Sequence, residues 1–289
     1  MRATRAAAVQ WHEVGPDVFV RRYGFLDQSI GAVVGSEGVL IVDTRTTPAQ
    51  ADEIRRDVGL LTPKPIVAVV DTHMHWDHTW GNSAFADLPI WGHVRCAAAL
   101  EELRDEDRLA PILDELIARY PDLEDDLLGV EIRPPDRTFS GYASVEGLGR
   151  PVELRHLGRG HTDNDVAVIV PPGTGGPAAP GGAVVFAGDL LENGAPPWFG
   201  DGYPMDWAAT LDGLLALRPT VVVPGHGAIG DIAFAREQRE EIAAIAALAR
   251  DVHADELTLE EALASGPYPP DTMAEALDRA LRQLRGELA

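Results

Sequence analysis

The sequence predicts a mixed α/β protein built in layers, and three observations carry that expectation. Short apolar runs rich in Val and Ile, bounded by Gly, Ser and Asp, alternate with segments of helical composition. The run Pro65–Val70 is apolar and largely β-branched, the pattern of a strand buried on both faces. From Ala233 onward the composition is helical, with Pro269-Pro270 interrupting it before a final helix.

In chain order, Val18-Phe19-Val20, Ala32-Val33-Val34 and Val39–Val42 read as strands, with Asp43-Thr44 closing the third. Pro48–Val58 has helical composition, and the Pro65–Val70 strand follows. Ala97–Leu128 is expected to be helical, since charged residues interleave there with Leu, Ile and Ala. Strand-like runs return at Val130-Glu131-Ile132, Val152–Leu154, Val166–Val170 and Ala183–Phe186. Between the last two, Pro171–Gly182 is almost entirely Pro, Gly, Ala and Thr, and reads as a hairpin-like loop rather than a domain linker. Trp207–Leu217 is a helix candidate and Val221–Val223 a last strand; no internal repeat is visible.

Bulk properties narrow the partners. A hydrophobic fraction of 45% over 289 residues is ample for a sizeable core. The net charge of −22, with Lys64 the single lysine, argues against nucleic acid or anionic lipid as a partner. No apolar run approaches the roughly 20 residues of a membrane span. The start of the chain lacks the apolar stretch of a signal peptide, and Cys96 has no partner for an internal disulfide. The expectation is a cytoplasmic protein acting on a small molecule.

The chemistry concentrates in His73-Met74-His75-Trp76-Asp77-His78. Imidazole and carboxylate together are the ligand set of zinc and similar metals. If the segment is extended, residues 73, 75 and 77 point one way and His78 the other, which suits two adjacent metals. With nine histidines in the chain, three within these six residues are poorly explained as a chance polar turn. His161, Asp189 and His226 each follow a glycine at the end of a strand-like run, and glycine permits a sharp turn toward a cleft. Any one alone reads equally as a turn or capping residue; the threefold recurrence favours ligands.

The pattern His-x-His-x-Asp-His, then Gly-His-Thr, Gly-Asp and Pro-Gly-His, resembles the metallo-β-lactamase-fold hydrolases from about Val18 to Gly227. The resemblance implies a four-layered αβ/βα sandwich with a C-terminal helical extension: one domain over 1–289, its core about 12–230 and the helices about 231–289. It also implies the ligands: His73, His75 and His161 for one divalent metal, Asp77, His78 and His226 for a second, and Asp189 bridging them. Zinc is expected, with iron or manganese as alternatives. A hydroxide held between the two dications would attack a small ester, thioester, lactone or amide. Asp77 would orient it or relay a proton as a catalytic residue.

Asp189 leans away from β-lactam hydrolysis as the native activity, because β-lactamases generally lack this carboxylate while glyoxalase II-like enzymes keep it. The motif Gly81–Phe85 and the helical tail are similar to quinoprotein-relay-like zinc hydrolases. Glu192 stands where acyl-homoserine lactonases place a tyrosine. The alternatives are an iron-dependent oxidoreductase of persulfide dioxygenase type, β-lactamase activity as a minor function, and a non-catalytic binding protein.

Several residues carry two readings. Asp43 is either an acceptor supporting the ligand loop or a strand-end cap. Trp76 and Trp80 are either a pocket wall or core, and Trp198 and Tyr203 in the loop after Asp189 are candidates for substrate contact. Cys96 reads as a buried small residue, and His12, His93, His156 and His253 lack a ligand-type context. The C-terminal helices pack on the core or make a homodimer.

Overall fold

A computed structural model describes residues 11–172 and 182–288. The first residues of the chain and most of the Pro171–Gly182 loop lie outside the described residues.

The N-terminal half contains β1 (His12–Gly15), β2 (Val18–Tyr23), β3 (Gln28–Val34), β4 (Val39–Val42), α1 (Pro48–Leu61), β5 (Ile66–Val70), α2 (Trp76–Thr79) and β6 (Ile90–His93). The helices α3 (Val94–Glu102), α4 (Glu106–Arg119) and α5 (Glu124–Leu128) follow, then β7 (Arg137–Phe139). The C-terminal half contains β8 (Tyr142–Ser144), β9 (Glu153–Arg155), β10 (Ala167–Val170), β11 (Val184–Asn193), α6 (Pro204–Ala216) and β12 (Val221–Gly227). Helices α7 (Ile232–His253), α8 (Leu259–Ser265) and α9 (Pro270–Leu284) complete it.

The strands run β7-β6-β5-β4-β3-β12-β11-β10-β9-β8, with β2 pairing β3 and β1 pairing β2. The two halves are joined through the pair His226↔Gln28 between β12 and β3. Each strand's alternation sends side chains to two faces. Val33, Leu40, Val42 and Val70 of one half meet Val152, Leu154, Val168 and Phe186 of the other in a common apolar layer. Ile41 and Val69 face outward, onto Ala51, Ile54 and Val58 of α1. On the far side Val185, Ala187 and Val222 pack under α6, α7 and α9. The result is helix, sheet, sheet, helix: a four-layer α/β sandwich whose C-terminal helices bury Ala249, Met273, Leu277 and Ala280 in their own chain's core. Val69 and Val70 confirm that β5 is buried on both faces.

Three local expectations change. Val130–Ile132 forms no strand; Val130 and Ile132 pack beside α3–α5, and Pro134-Pro135 next to them offer no N–H for pairing. The histidine segment is not extended throughout, because His75 is the N-cap of α2 and its carbonyl accepts from the His78 and Thr79 amides. Asp189 and His226 lie within β11 and β12 rather than after them.

Candidate metal centre

His73 follows β5, and α2 carries Asp77 and His78 on one turn. His161 lies in the loop between β9 and β10, Asp189 in β11 and His226 in β12. These side chains converge into two groups able to hold an ion: His73, His75, His161 and Asp189, and Asp77, His78 and His226. In the first group His75 Nδ1 stands 3.0 Å from His73 Nε2 and 2.9 Å from His161 Nε2. In the second, His226 Nε2 is 3.2 Å from both His78 Nε2 and the Asp77 carboxylate. Asp189 faces both: Oδ2 lies 3.5 Å from His161 and 3.4 Å from His226, and Oδ1 is 3.3 Å from His78.

Of the three glycines before His161, Asp189 and His226, only Gly188 has a left-handed backbone, at φ +54. Gly225 matters through space, since a Cβ there would collide with the Asp189 carboxylate. Turn freedom was the expectation at all three; close approach is the reason at Gly225, where β12 passes against β11.

The outer nitrogens are also occupied. His78 Nδ1–H donates to Asp43 Oδ2 at 2.8 Å. The Thr72 hydroxyl donates to that oxygen at 2.9 Å and stands 3.1 Å from His73 Nδ1, so it accepts the His73 proton. Asp43 therefore reaches both groups, and its φ of +67 is the strained conformation that aims it there. His161 Nδ1 donates to the Trp198 carbonyl (3.2 Å), His226 Nδ1 to the Leu26 carbonyl (2.8 Å), and His75 Nε2 to Asp201 (3.0 Å). Buried Gln28 donates to the Asp77 carbonyl from the start of β3.

Electrostatics separate the two groups. Burial, then the neighbouring His78, holds His73 well below the ordinary histidine range. Burial also depresses His161, to about 3. Burial pulls His78 and His226 down too, but the carboxylates of Asp189 and Asp77 outweigh it and raise both well above that range. Burial pushes Asp77 and Asp189 upward, yet the facing histidines hold both carboxyls well below the usual range.

This donor set fits divalent metals. Every outer imidazole nitrogen has an acceptor, which fixes the proton there and turns the lone pair inward. Nitrogens facing one another at about 3 Å are close to the roughly 3.3 Å edge of a tetrahedron with 2.0–2.1 Å metal–nitrogen bonds. Asp189 Oδ1 is buried without a hydrogen bond, an acceptor awaiting a cation.

The remaining candidates fall into place. Trp80 is 1% exposed among Cys96, Leu100 and Leu116, so it is core. Trp76 is half-buried and stacks edgewise on Phe25 and near Tyr120, with centroids 6.5 and 5.9 Å away. Trp198 is 47% exposed, and its ring centroid lies 5.2 Å from that of His75. Tyr203 stands instead beneath the Arg159 and Arg279 guanidiniums, 4.5 and 5.7 Å from its ring. Glu192 accepts from the Trp198 amide, and burial together with Asp189 pushes its pKa up to about 8. Cys96 is buried on α3, and burial raises its thiol. His93 and His156 stack on each other at 4.3 Å.

Sequence reasoning missed Thr72, Gln28, Asp201 and the carbonyls of Leu26 and Trp198. Thr72 adjoins His73 and was within reach of a local reading. Asp201, 126 positions from its partner, was not.

The sandwich therefore carries two candidate metal-binding groups side by side. The chain belongs to the metallo-beta-lactamase superfamily, which matches residues 23–226. It is 26% identical over 223 residues to a linear primary-alkylsulfatase from Pseudomonas sp. (strain ATCC 19151), a match covering 66% of this chain and 40% of that protein. Among solved structures it is similar to the DIM-1 metallo-beta-lactamase, with TM-score 0.60, 19% identity, and 81% and 96% of the two chains covered. It is also similar to the sec-alkylsulfatase Pisa1 from Pseudomonas sp., with TM-score 0.72, 18% identity, and 95% and 50% covered. This chain therefore spans about half the length of the alkylsulfatases it matches.

Proposed function

We propose that this chain is a two-metal hydrolase of a small ester, thioester or lactone bearing an apolar arm, with zinc as the metal. The observation that carries the reading is the pair of ligand clusters with Asp189 between them, next to a cavity whose lining includes Phe25, Leu26, Tyr120 and Leu123. Bound dications supply Lewis-acid activation of water near neutral pH. His73, His75 and His161 would hold one, Asp77, His78 and His226 the other, with Asp189 between them. Asp77, whose carboxylate stays ionised, is suited to orient the attacking water by accepting a hydrogen bond from it.

The cavity, about 400 Å³, is lined by Gly24, Phe25, Leu26 and the Arg119–Leu123 segment. It adjoins the second cluster through Leu26, whose carbonyl holds His226. Trp76, next to both His75 and Asp77, closes an aromatic group with Phe25 and Tyr120, rings 5.1 Å apart. An apolar substituent seated there would bring its ester bond to the clusters.

A second reading, sulfate-ester hydrolysis, is favoured by the 26% identity to the linear primary-alkylsulfatase. The kinship to glyoxalase II-like or quinoprotein-relay-like hydrolases rests on the motif residues alone.

The test is a hydrolysis screen of the zinc-loaded chain over acyl esters of increasing chain length, thioesters, lactones, alkyl sulfates and β-lactams. Acyl esters should be cleaved with KM falling as the chain lengthens, and Phe25→Ala should raise KM about tenfold for long chains only. Each buried methylene adds about 0.8 kcal/mol, so this trend is measurable. Turnover confined to alkyl sulfates would select the second reading. One iron per chain with oxygen consumption would establish the oxidoreductase and sink both.

A further inference from the structure

The segment from Trp198 to Asp206, a loop that runs into the first turn of α6, lies over the first cluster and supplies two of its supports, the Trp198 carbonyl on His161 and the Asp201 carboxylate on His75. Three residues of α9 hold that loop, and they are spaced four apart, hence on one face of the helix. Glu275 accepts from the Phe199 amide at 3.2 Å. Arg279 donates to the Asp201 carbonyl at 2.8 Å and the Gly202 carbonyl at 3.0 Å. Gln283 accepts from the Met205 amide at 3.0 Å and donates to the Asp206 carboxylate at 2.9 Å. The loop is also stitched to the segment carrying His161, because the Tyr203 amide donates to the Gly160 carbonyl at 2.8 Å.

The geometry points to helix α9 as the device that sets the ligand geometry of the His73/His75/His161 cluster, with Arg279 and Asp201 as its positioning residues. Arg279 fixes the backbone at Asp201 and Gly202 with one bond to each carbonyl, a task suited to the planar guanidinium and not to a single ammonium. Asp201, thus held, keeps the proton on His75 Nε2 and leaves Nδ1 free to face His73 and His161. The second cluster takes its supports from Asp43 and Leu26, on the β2–β4 side, and does not depend on α9. The C-terminal helix therefore acts on one metal of the two.

This rests on the clusters binding metal, so the experiment first counts metal in the wild-type chain. The whole chain, stripped of metal, is titrated with cobalt(II) alone while its visible spectrum and stoichiometry are followed, and zinc affinity is measured by chelator competition. The variants are Asp201→Asn, Arg279→Ala and Arg279→Lys, with Arg285→Ala, just past the end of the same helix, as control. Asp201→Asn and Arg279→Ala should weaken one of two metals about 10–100-fold, the loss usual for a lost support of a ligand, and leave the other within twofold. Arg279→Lys should fall between them and wild type, and Arg285→Ala should match wild type. Asp201 is 45% exposed, so Asp201→Asn should keep the wild-type melting temperature even if Arg279→Ala lowers it. Two metals retained at wild-type affinity in Asp201→Asn and Arg279→Ala would overturn the role of α9 while leaving the metal centre standing. Parallel weakening of both metals would overturn it equally. A wild-type chain that binds no metal would overturn the metal centre and this role together.

Discussion

Asp43 shows how one residue can reach both candidate clusters. Its two oxygens accept from the Thr72 amide, the Thr72 hydroxyl and His78 Nδ1, all within 2.9 Å. The Val-Asp-Thr turn was visible in the sequence, but the choice between cap and support was not, since it depends on Thr72 and His78, far along the chain and near only after folding. Replacing Asp43 by Asn puts an amide N–H₂ where two donors already point. The expected outcome for Asp43→Asn is a fall of about 10–100-fold in affinity at both metal positions, read by chelator competition. If one position keeps wild-type affinity, Asp43 supports only the other cluster. The same reasoning separates Trp76 from Trp80: two residues alike in sequence, one half-buried beside the cavity, the other sealed among α3–α5.

At the scale of elements, the buried strands were legible because a strand covered on both faces needs unbroken apolar residues, as β4, β5 and β10 show. The long helices announced themselves by composition and by Pro270 at the start of α9. Short exposed strands such as β7 and β8 carry no such signal, for only Phe139 and Ala143 pack on the core while Arg137, Thr138, Tyr142 and Ser144 are exposed. The turn at Gly188 in β11 was half legible: the turn freedom expected of the glycine before Asp189 is borne out there, but its close approach to Thr72 was not visible. At Gly188 the backbone is left-handed, and a Cβ would stand 2.8 Å from Thr72, the residue linking His73 to Asp43. Gly188→Ala should therefore cost about 1–3 kcal/mol through strain and displacement of Thr72, lowering the melting temperature by several degrees. Gly59→Ala, within α1 and with open space around it, should instead gain about 0.5–1 kcal/mol. Calorimetry on the two variants decides; a neutral Gly188→Ala would show that Thr72 yields without effect on β11.

The whole molecule carries a net charge of −22 and concentrates two of its carboxylates, Asp77 and Asp189, in the buried candidate metal centre. Among the described residues no helix is long and apolar enough to cross a membrane. Without metal, the facing carboxylates of Asp77 and Asp189 favour protons on His78 and His226, raising both well above 6.5 against the opposing effect of burial. The sign follows from linkage. A histidine raised on folding contributes its full stability below pH 6.5, its unfolded value, and loses it as pH rises through the folded value. Bound dications replace those protons and remove the dependence. The apo chain should therefore melt progressively lower as pH rises above about 6.5, while the zinc-loaded chain stays level over the same window. Two sites each saturated a hundredfold above Kd add roughly 5 kcal/mol, about 10–20 °C for a chain of this size. That gap should widen with pH, because metal must displace protons from His78 and His226 at acid pH and not above their folded values. Melting curves of the chelator-treated and zinc-loaded chain from about pH 6 to 9 measure it. A gap that is constant or narrows with pH would mean that the two histidines are neutral in the apo chain, and that the buried carboxylates are balanced by some other charge.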